Sequence, residues 1–389
     1  MSDWLTVADE VAGTLRSDAV EREAEGAEPH AEVSLLRQSG LLTLLLPAEL
    51  GGAGEDWVCA HAVIRTVSAA DGSLGHLLAY HYFQLWRIQL FDNEPLTARL
   101  ERESASGRWF WAGVSNPRDM ALELRPAEGG FTVHGRKFFA TGASVADRLI
   151  VSGTWSGSER KSTFTVPAGA EGIRFLGDWD NLGQRLSASG GVEFDGVFVP
   201  SGELLGSQPK DGEPRWWRDS LAPLGFQLLL AQIQVGIAGG ALNVGARYTT
   251  AVSRAWPRSE VDRAADDPYI LANYGTLSAR LTAAELVLDS AARAFNRAVA
   301  RGQELDGRER GELAILLSKA KVVSTEVVLE VANRVFELTG ARATAAKYGL
   351  DRFWRNARTL TLHDPVSYKA AEIGQYLLDG EFPPVTGYS

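Results

Sequence analysis

The residue pattern of this chain changes period twice, and that double switch constrains the fold more than any single motif. Residues 4–45 carry Val33, Leu35, Leu36 and Leu41 at helical spacing, with charged residues between them. Pro47 and the turn Gly51-Gly52-Ala53-Gly54 interrupt them, and residues 55–92 resume a helical pattern rich in alanine, leucine and aromatics. From 109 to 205 the chain reads as short strands. Phe131-Thr-Val-His-Gly, Leu149-Ile-Val-Ser-Gly, Ser162-Thr-Phe-Thr-Val and Gly191-Val-Glu-Phe-Asp-Gly-Val-Phe-Val-Pro are β-branched and aromatic runs separated by glycine turns. Residues 206–220 are polar, contain two prolines, and read as a linker. From Leu221 onward nearly everything is helical again, with long amphipathic patterns over 277–299 and 309–338. The expected fold is α+β: an N-terminal helical domain (1–108), a middle β-barrel or sandwich domain (109–205) and a C-terminal antiparallel four-helix bundle (206–389).

Charge and cysteine usage narrow the function classes. A formal net charge of -10 argues against nucleic acid or an anionic membrane as the main partner. The single cysteine, Cys59, excludes an internal disulfide and a cysteine-based metal cluster, and no His-Glu-x-x-His helix is present, so no metal site is expected. The longest apolar run, 228–246, contains Gln232, Gln234 and Asn243, which suits a buried core helix better than a membrane span. The first residues show no basic stretch followed by an apolar one, and a cytoplasmic location is expected. There is no Rossmann fingerprint and no phosphate-binding P-loop.

The chemistry-bearing candidates cluster late in the chain. In Trp354-Arg-Asn-Ala-Arg-Thr-Leu-Thr-Leu-His-Asp-Pro, Pro365 disfavours helix at Asp364. His363 and Asp364 therefore sit at a helix end or on a short connector, where a titratable pair suits proton handling. The same pair would equally serve to end a helix on the surface. The other histidines are His30, His61, His76, His81 and His134. His76 lies one helical turn before Tyr80, so the two share a face.

The order of elements and three local motifs resemble the acyl-CoA dehydrogenase fold over essentially the whole chain. These are Gly40-Leu-Leu with Leu46-Pro-Ala-Glu-Leu-Gly-Gly-Ala-Gly, Lys137-Phe-Phe-Ala-Thr-Gly, and Asp351-Arg-Phe-Trp-Arg-Asn-Ala-Arg. Dehydrogenases of that fold usually carry Tyr-Glu-Gly-Thr where this chain has His363-Asp364-Pro365-Val366, and the glutamate is their base. Asp364 is one methylene shorter, which pulls it back from a proton it must approach to about 3 Å. Gly75-His-Leu-Leu-Ala-Tyr-His, Asp266-Asp-Pro-Tyr, Gly340-Ala-Arg, Tyr348-Gly-Leu-Asp-Arg-Phe-Trp-Arg-Asn-Ala-Arg-Thr and Leu362-His-Asp-Pro-Val-Ser-Tyr-Lys are similar to the dibenzothiophene monooxygenase group on this fold.

That resemblance implies a two-component monooxygenase. It would use reduced FMN from a separate flavin reductase, with O2 as co-substrate, to oxidise a heteroatom: sulfur first, an amine nitrogen next. His363 is the leading catalytic residue it implies, with His76 and Tyr80 beside the substrate. Ser115, Asn116 and Thr141 would meet the flavin ring edge, and Trp179 and Ser189 would line the cavity. Arg254 and Arg342 would meet the cofactor phosphate across a subunit interface of a homotetramer. Two other classes remain open: an FAD-dependent acyl-CoA dehydrogenase or oxidase with Asp364 as base, and a helical scaffold that has lost its flavin.

Overall fold

The computed structural model describes residues 3–91, 93–116, 118–207 and 218–389. Among these residues the helix–strand–helix order predicted from residue pattern is the order found. The first helices are α1 (Asp3–Ser17), α2 (Ala19–Glu25), α3 (His30–Gln38), α4 (Trp57–Ala70), α5 (Gly72–Arg87) and α6 (Glu94–Gly107). Eight strands come next: β1 (Trp111–Val114), β2 (Leu122–Ala127), β3 (Gly130–Lys137), β4 (Arg148–Trp155), β5 (Lys161–Pro167), β6 (Ile173–Phe175), β7 (Val192–Pro200) and β8 (Leu204–Ser207). The chain closes with α7 (Leu221–Ala251), α8 (Pro268–Arg301), α9 (Gly307–Thr339), α10 (Asp351–Leu360) and α11 (Val366–Asp379). Of the expected linker, 208–217 lie outside the described residues, while 206–207 complete β8 and 218–220 lead into α7.

Aspartates start the helices that matter most. Asp56 accepts from Cys59 N at 3.0 Å and opens α4. Asp71 accepts from Ser73 N at 3.0 Å and Leu74 N at 3.2 Å and opens α5. Asp267 precedes Pro268 at the start of α8, and Asp306 forms a capping box with Glu309 on α9. Each satisfies amides that the first helical turn leaves unpaired.

The strands form one mixed sheet in the order β6-β7-β3-β2-β4-β5-β8, with β1 also paired to β4. β1 runs parallel to the first half of β4 and β2 parallel to its second half. Side-chain alternation sorts the two faces. Leu149 and Val151 join Ala112, Leu124, Phe131, Phe164, Phe194 and Val199 in a core that the curved sheet wraps around. Ile150 and Trp111 point the other way, onto Leu85, Ile88, Leu96 and Leu100 of the helices. The sheet is thereby fixed against α5, which carries His76 and Tyr80.

α7 is the axis of the helical part and packs against α4, α5, α8 and α9. By length and composition it is apolar enough to cross a membrane, yet 83% of its apolar window is buried inside the protein. Its glycines have a packing reason. A Cβ on Gly236 would collide with Arg65 O and Ser68, and one on Gly240 with Ala69 O and Phe353. Only glycine lets α4 and α7 approach this closely.

Candidate functional site

α5 presents His76 and Tyr80 one turn apart, with ring centroids 4.3 Å apart and planes at 85°. Phe226, near the start of α7, packs on Tyr80 at 5.1 Å and on Phe83 at 5.2 Å. The connector between α10 and α11 brings His363 onto the same ring at 5.1 Å. One phenylalanine thus joins three elements, and the three residues expected at the reaction centre meet around it. His363 Nδ1 lies 3.1 Å from Asp364 Oδ1, within hydrogen-bond distance, and Lys321 Nζ of α9 approaches the same oxygen at 3.4 Å.

The charges here are set by burial and by these pairs. Burial disfavours the Asp364 carboxylate, but the His363 hydrogen bond and the Lys321 charge outweigh it and hold the group well below the usual carboxylate range. Burial pushes the Tyr80 phenol far up, and the Asp364 charge adds to this, so Tyr80 is a neutral donor. Burial pushes the His76 imidazole down to about 3, opposed by its Gln184 hydrogen bond and reinforced by His363. His76 is therefore neutral. Its Nδ1 donates to Gln184 Oε1 at 3.0 Å, which leaves Nε2 a bare acceptor, buried and without a partner among the described residues.

Gln184 is the hub that residue pattern did not reveal. Its carbonyl accepts from Trp179 Nε1 and from Ser187 Oγ, both at 2.8 Å. Its amide donates to Asn356 Oδ1 of α10 at 2.6 Å. Its φ of 57° is a left-handed conformation rare for glutamine. Ser187 in turn meets Ser189 at 2.7 Å, and Ser189 meets Thr141 at 2.9 Å. Trp179, Ser189, Thr141 and His76, expected separately, therefore converge on one loop. The local signals were a buried polar run, Gln184 to Ser189, and the asparagine of Trp354-Arg-Asn; neither names its partner.

Two candidates, Ser115 and Asn116, are engaged with partners of their own, and two, Arg254 and Arg342, lie away from this centre. Ser115 shares its hydroxyl with Ser152 at 3.2 Å and Arg87 at 3.4 Å. The Asn116 side chain donates to Asp119 at 3.0 Å. Arg254 and Arg342 are exposed and make no ion pair among the described residues. Arg254 follows the end of α7, where Ser253 donates to Thr339 O at 3.0 Å. Arg342 lies close enough to Tyr248, near that same end, for its charge to act on the phenol. At about 1.5 Å rise per residue, Phe226 and Arg254 are roughly 40 Å apart along α7. A mononucleotide cofactor in the centre of one chain cannot reach these arginines of the same chain.

The centre has the chemistry of a site for a flat amphipathic ring. Phe139 is 63% exposed and held at a φ of 55°, strained for an aromatic residue, with its ring 5.9 Å from Trp179. Beside these aromatics lie the buried hydroxyls of Thr141 and Ser189 and the bare Nε2 of His76. Small residues, Ala140, Ala143, Ala188, Gly190 and Gly191, line a cavity of about 100 Å³ behind Trp179. A wider cleft of about 760 Å³, bordered by Glu23, Arg185, Arg352 and Arg355, opens on the outer side of α10 and holds none of the candidates.

Comparison with known proteins identifies the family. Residues 5–108 match the acyl-CoA dehydrogenase N-terminal domain, and residues 228–368 match the acyl-CoA dehydrogenase C-terminal domain. The chain is 38% identical to the probable FMNH2-dependent monooxygenase SfnC of Pseudomonas putida, covering 99% of this chain and 97% of the relative. It is 36% identical to the methanesulfinate monooxygenase MsuC of Pseudomonas fluorescens, whose structure superposes with a TM-score of 0.94 and 99% of each chain covered. TdsC of Paenibacillus sp. A11-2, solved with FMN and indole, is 37% identical with a TM-score of 0.94 and 99% of each chain covered.

Proposed function

The chain belongs to the acyl-CoA dehydrogenase family, and from that premise we propose that it is a two-component flavin-dependent monooxygenase. It takes reduced FMN from a separate reductase and transfers one oxygen atom of O2 to a heteroatom, sulfur first, of a small substrate. The observation that carries this reading is the state of Asp364. It stands where dehydrogenases of this fold keep a free carboxylate base, yet it is buried and committed to Lys321 and His363. A carboxylate held in two such contacts is a poor base for a thioester α-proton. This counts against the FAD-dependent dehydrogenase or oxidase.

Bound reduced FMN would supply the activation of oxygen. Thr141, Ser187 and Ser189 fit the polar edge of its ring, and Phe139 and Trp179 its apolar face. His363 would give and take the proton at the reaction centre, with Tyr80 a neutral donor and His76 Nε2 a neutral acceptor. Phe226, Phe83 and Tyr80 exclude water, which limits wasteful release of peroxide. Ser115 and Asn116 would act at the far end of the ring only after exchanging their present partners.

Arg254 and Arg342 fit a phosphate held in a neighbouring copy, so the reading includes a homotetramer. Support comes from exposed apolar side chains on α11 and the connector before it: Leu362, Tyr368, Leu377 and Leu378 are 64–86% exposed. We place the assembly in the cytoplasm with its reductase.

The test mixes the protein anaerobically with reduced FMN, then adds oxygen and a panel including methanesulfinate, dibenzothiophene and an aromatic amine. An oxygenated product is expected only when reduced flavin and oxygen are both present. His363→Ala should bind flavin normally and lose product about a hundredfold. Anaerobic oxidation of an acyl-CoA with bound FAD, and no oxygenated product, would replace this reading by the dehydrogenase.

A further inference from the structure

Lys321 is a buried charge at this centre whose effect so far stops at Asp364. None of its side chain is exposed, and burial pushes its ammonium below the ordinary lysine range against the pull of Asp364. A lysine so placed is costly to desolvate unless a counter-charge meets it. Asp364 is that counter-charge, and the same Oδ1 faces both Lys321 Nζ and His363 Nδ1. The other groups facing the trio come from three helices. His76 and Tyr80 belong to α5 and are neutral. Gln227 of α7 hydrogen-bonds Asp364, and Phe226 of α7 covers His363. Lys369 of α11 acts on Lys321 with like charge and is itself paired with Glu372 at 2.9 Å. No second anion among them offsets Lys321.

We propose that Lys321 is a positioning residue that sets the proton on His363: by keeping Asp364 a carboxylate, it makes Nδ1 the protonated ring nitrogen and leaves Nε2 bare. Charge counting gives the reason. Lys321 and Asp364 cancel, so His363 meets a neutral pair that still presents an acceptor, and that acceptor draws the ring proton to Nδ1. Without the lysine charge, the buried Asp364 carboxylate would have only the solvent-exposed His363 ring to offset it, and the pair would take up a proton from solvent. A lysine that only filled space would change stability and leave this protonation alone.

The catalytic consequence rests on the proposed monooxygenase, but the proton placement does not. It is read on flavin-free full-length protein by solid-state 15N spectra of histidine-labelled samples near pH 7.5, with His363→Ala assigning the signal. The parent is expected to show one protonated ring nitrogen, Nδ1. Lys321→Met should show both nitrogens protonated in most molecules, and Lys321→Arg should restore the parent pattern. Lys321→Gln donates to Asp364 without charge; it should behave as the methionine variant does and is read in its place should that variant not fold. A parent protonated on Nε2, or neutral variants that keep the single Nδ1 proton, overturns the proposal. In turnover, Lys321→Met should form about tenfold less product, with arginine restoring it. If the spectra behave as expected and no protein oxygenates any substrate, the functional reading falls and the role of Lys321 stands.

Discussion

His61 gives the sharpest stability prediction. It lies on α4, fully buried between Trp57 at 5.4 Å and Phe295 at 6.1 Å, and neither ring nitrogen has a hydrogen-bond partner among the described residues. Burial, with the charge of Arg65 adding to it, pushes the imidazole down to about 3. An unfolded chain titrates the same ring near 6.5. The folded protein therefore keeps His61 neutral while the unfolded chain takes up a proton below pH 6.5. The stability linked to this group is complete above pH 6.5 and drains away as pH falls toward 3. Between pH 8 and pH 5 one such group costs about 2 kcal/mol. His61→Leu removes the titration. At either pH it also changes packing and removes two unpaired nitrogens, but those effects cancel in the difference between the two pH values. His76 and His81 titrate alike in parent and variant, so they cancel as well. Urea unfolding at pH 8 and pH 5 should show the variant losing about 2 kcal/mol less than the parent. Losses that agree within about 0.5 kcal/mol would refute the claim that this ring is held neutral by burial.

Three further outcomes probe the helix cap, the close helix contact and the flavin site. Asp71→Ala removes the cap of α5 and one of the carboxylates around Arg22, whose Nη2 donates to Asp71 at 2.9 Å and which also pairs with Asp18, and should cost about 1–2 kcal/mol in denaturant unfolding; a cost below about 0.3 kcal/mol would contradict the capping role of Asp71. Gly240→Val drives a side chain into Ala69 O and should destabilise by about 1–3 kcal/mol or more, seen as a lower melting temperature; an unchanged melt would contradict the close α4–α7 contact. Thr141→Val strips one hydroxyl from the pair with Ser189 and should weaken reduced-FMN binding about tenfold, or about 1.4 kcal/mol, with the fold unchanged; equal affinity in an anaerobic titration removes Thr141 from the flavin site.

Much of the architecture was legible because it depends on short-range rules. Side-chain period separates helix from strand, Pro365 ends a helix locally, and Asp71 and Asp306 cap α5 and α9. The break at His363-Asp364 lies between α10 and α11 for the same reason. The one-turn spacing of His76 and Tyr80 placed them on one face without knowledge of any partner.

The centre itself was decided by packing between distant segments. Gln184 reaches His76 across 108 residues and Asn356 across 172, and Lys321 meets Asp364 across 43. No local propensity encodes such meetings, because their energy comes from burying polar groups that then require one another. The same packing set Ser115 and Asn116 among partners of their own and sent Arg254 to the far end of α7. Composition can say that a histidine, a tyrosine and a carboxylate are available. Only the way α5, α7, α9 and the α10–α11 connector close on Phe226 determines which of them lose water together and so acquire altered proton affinities.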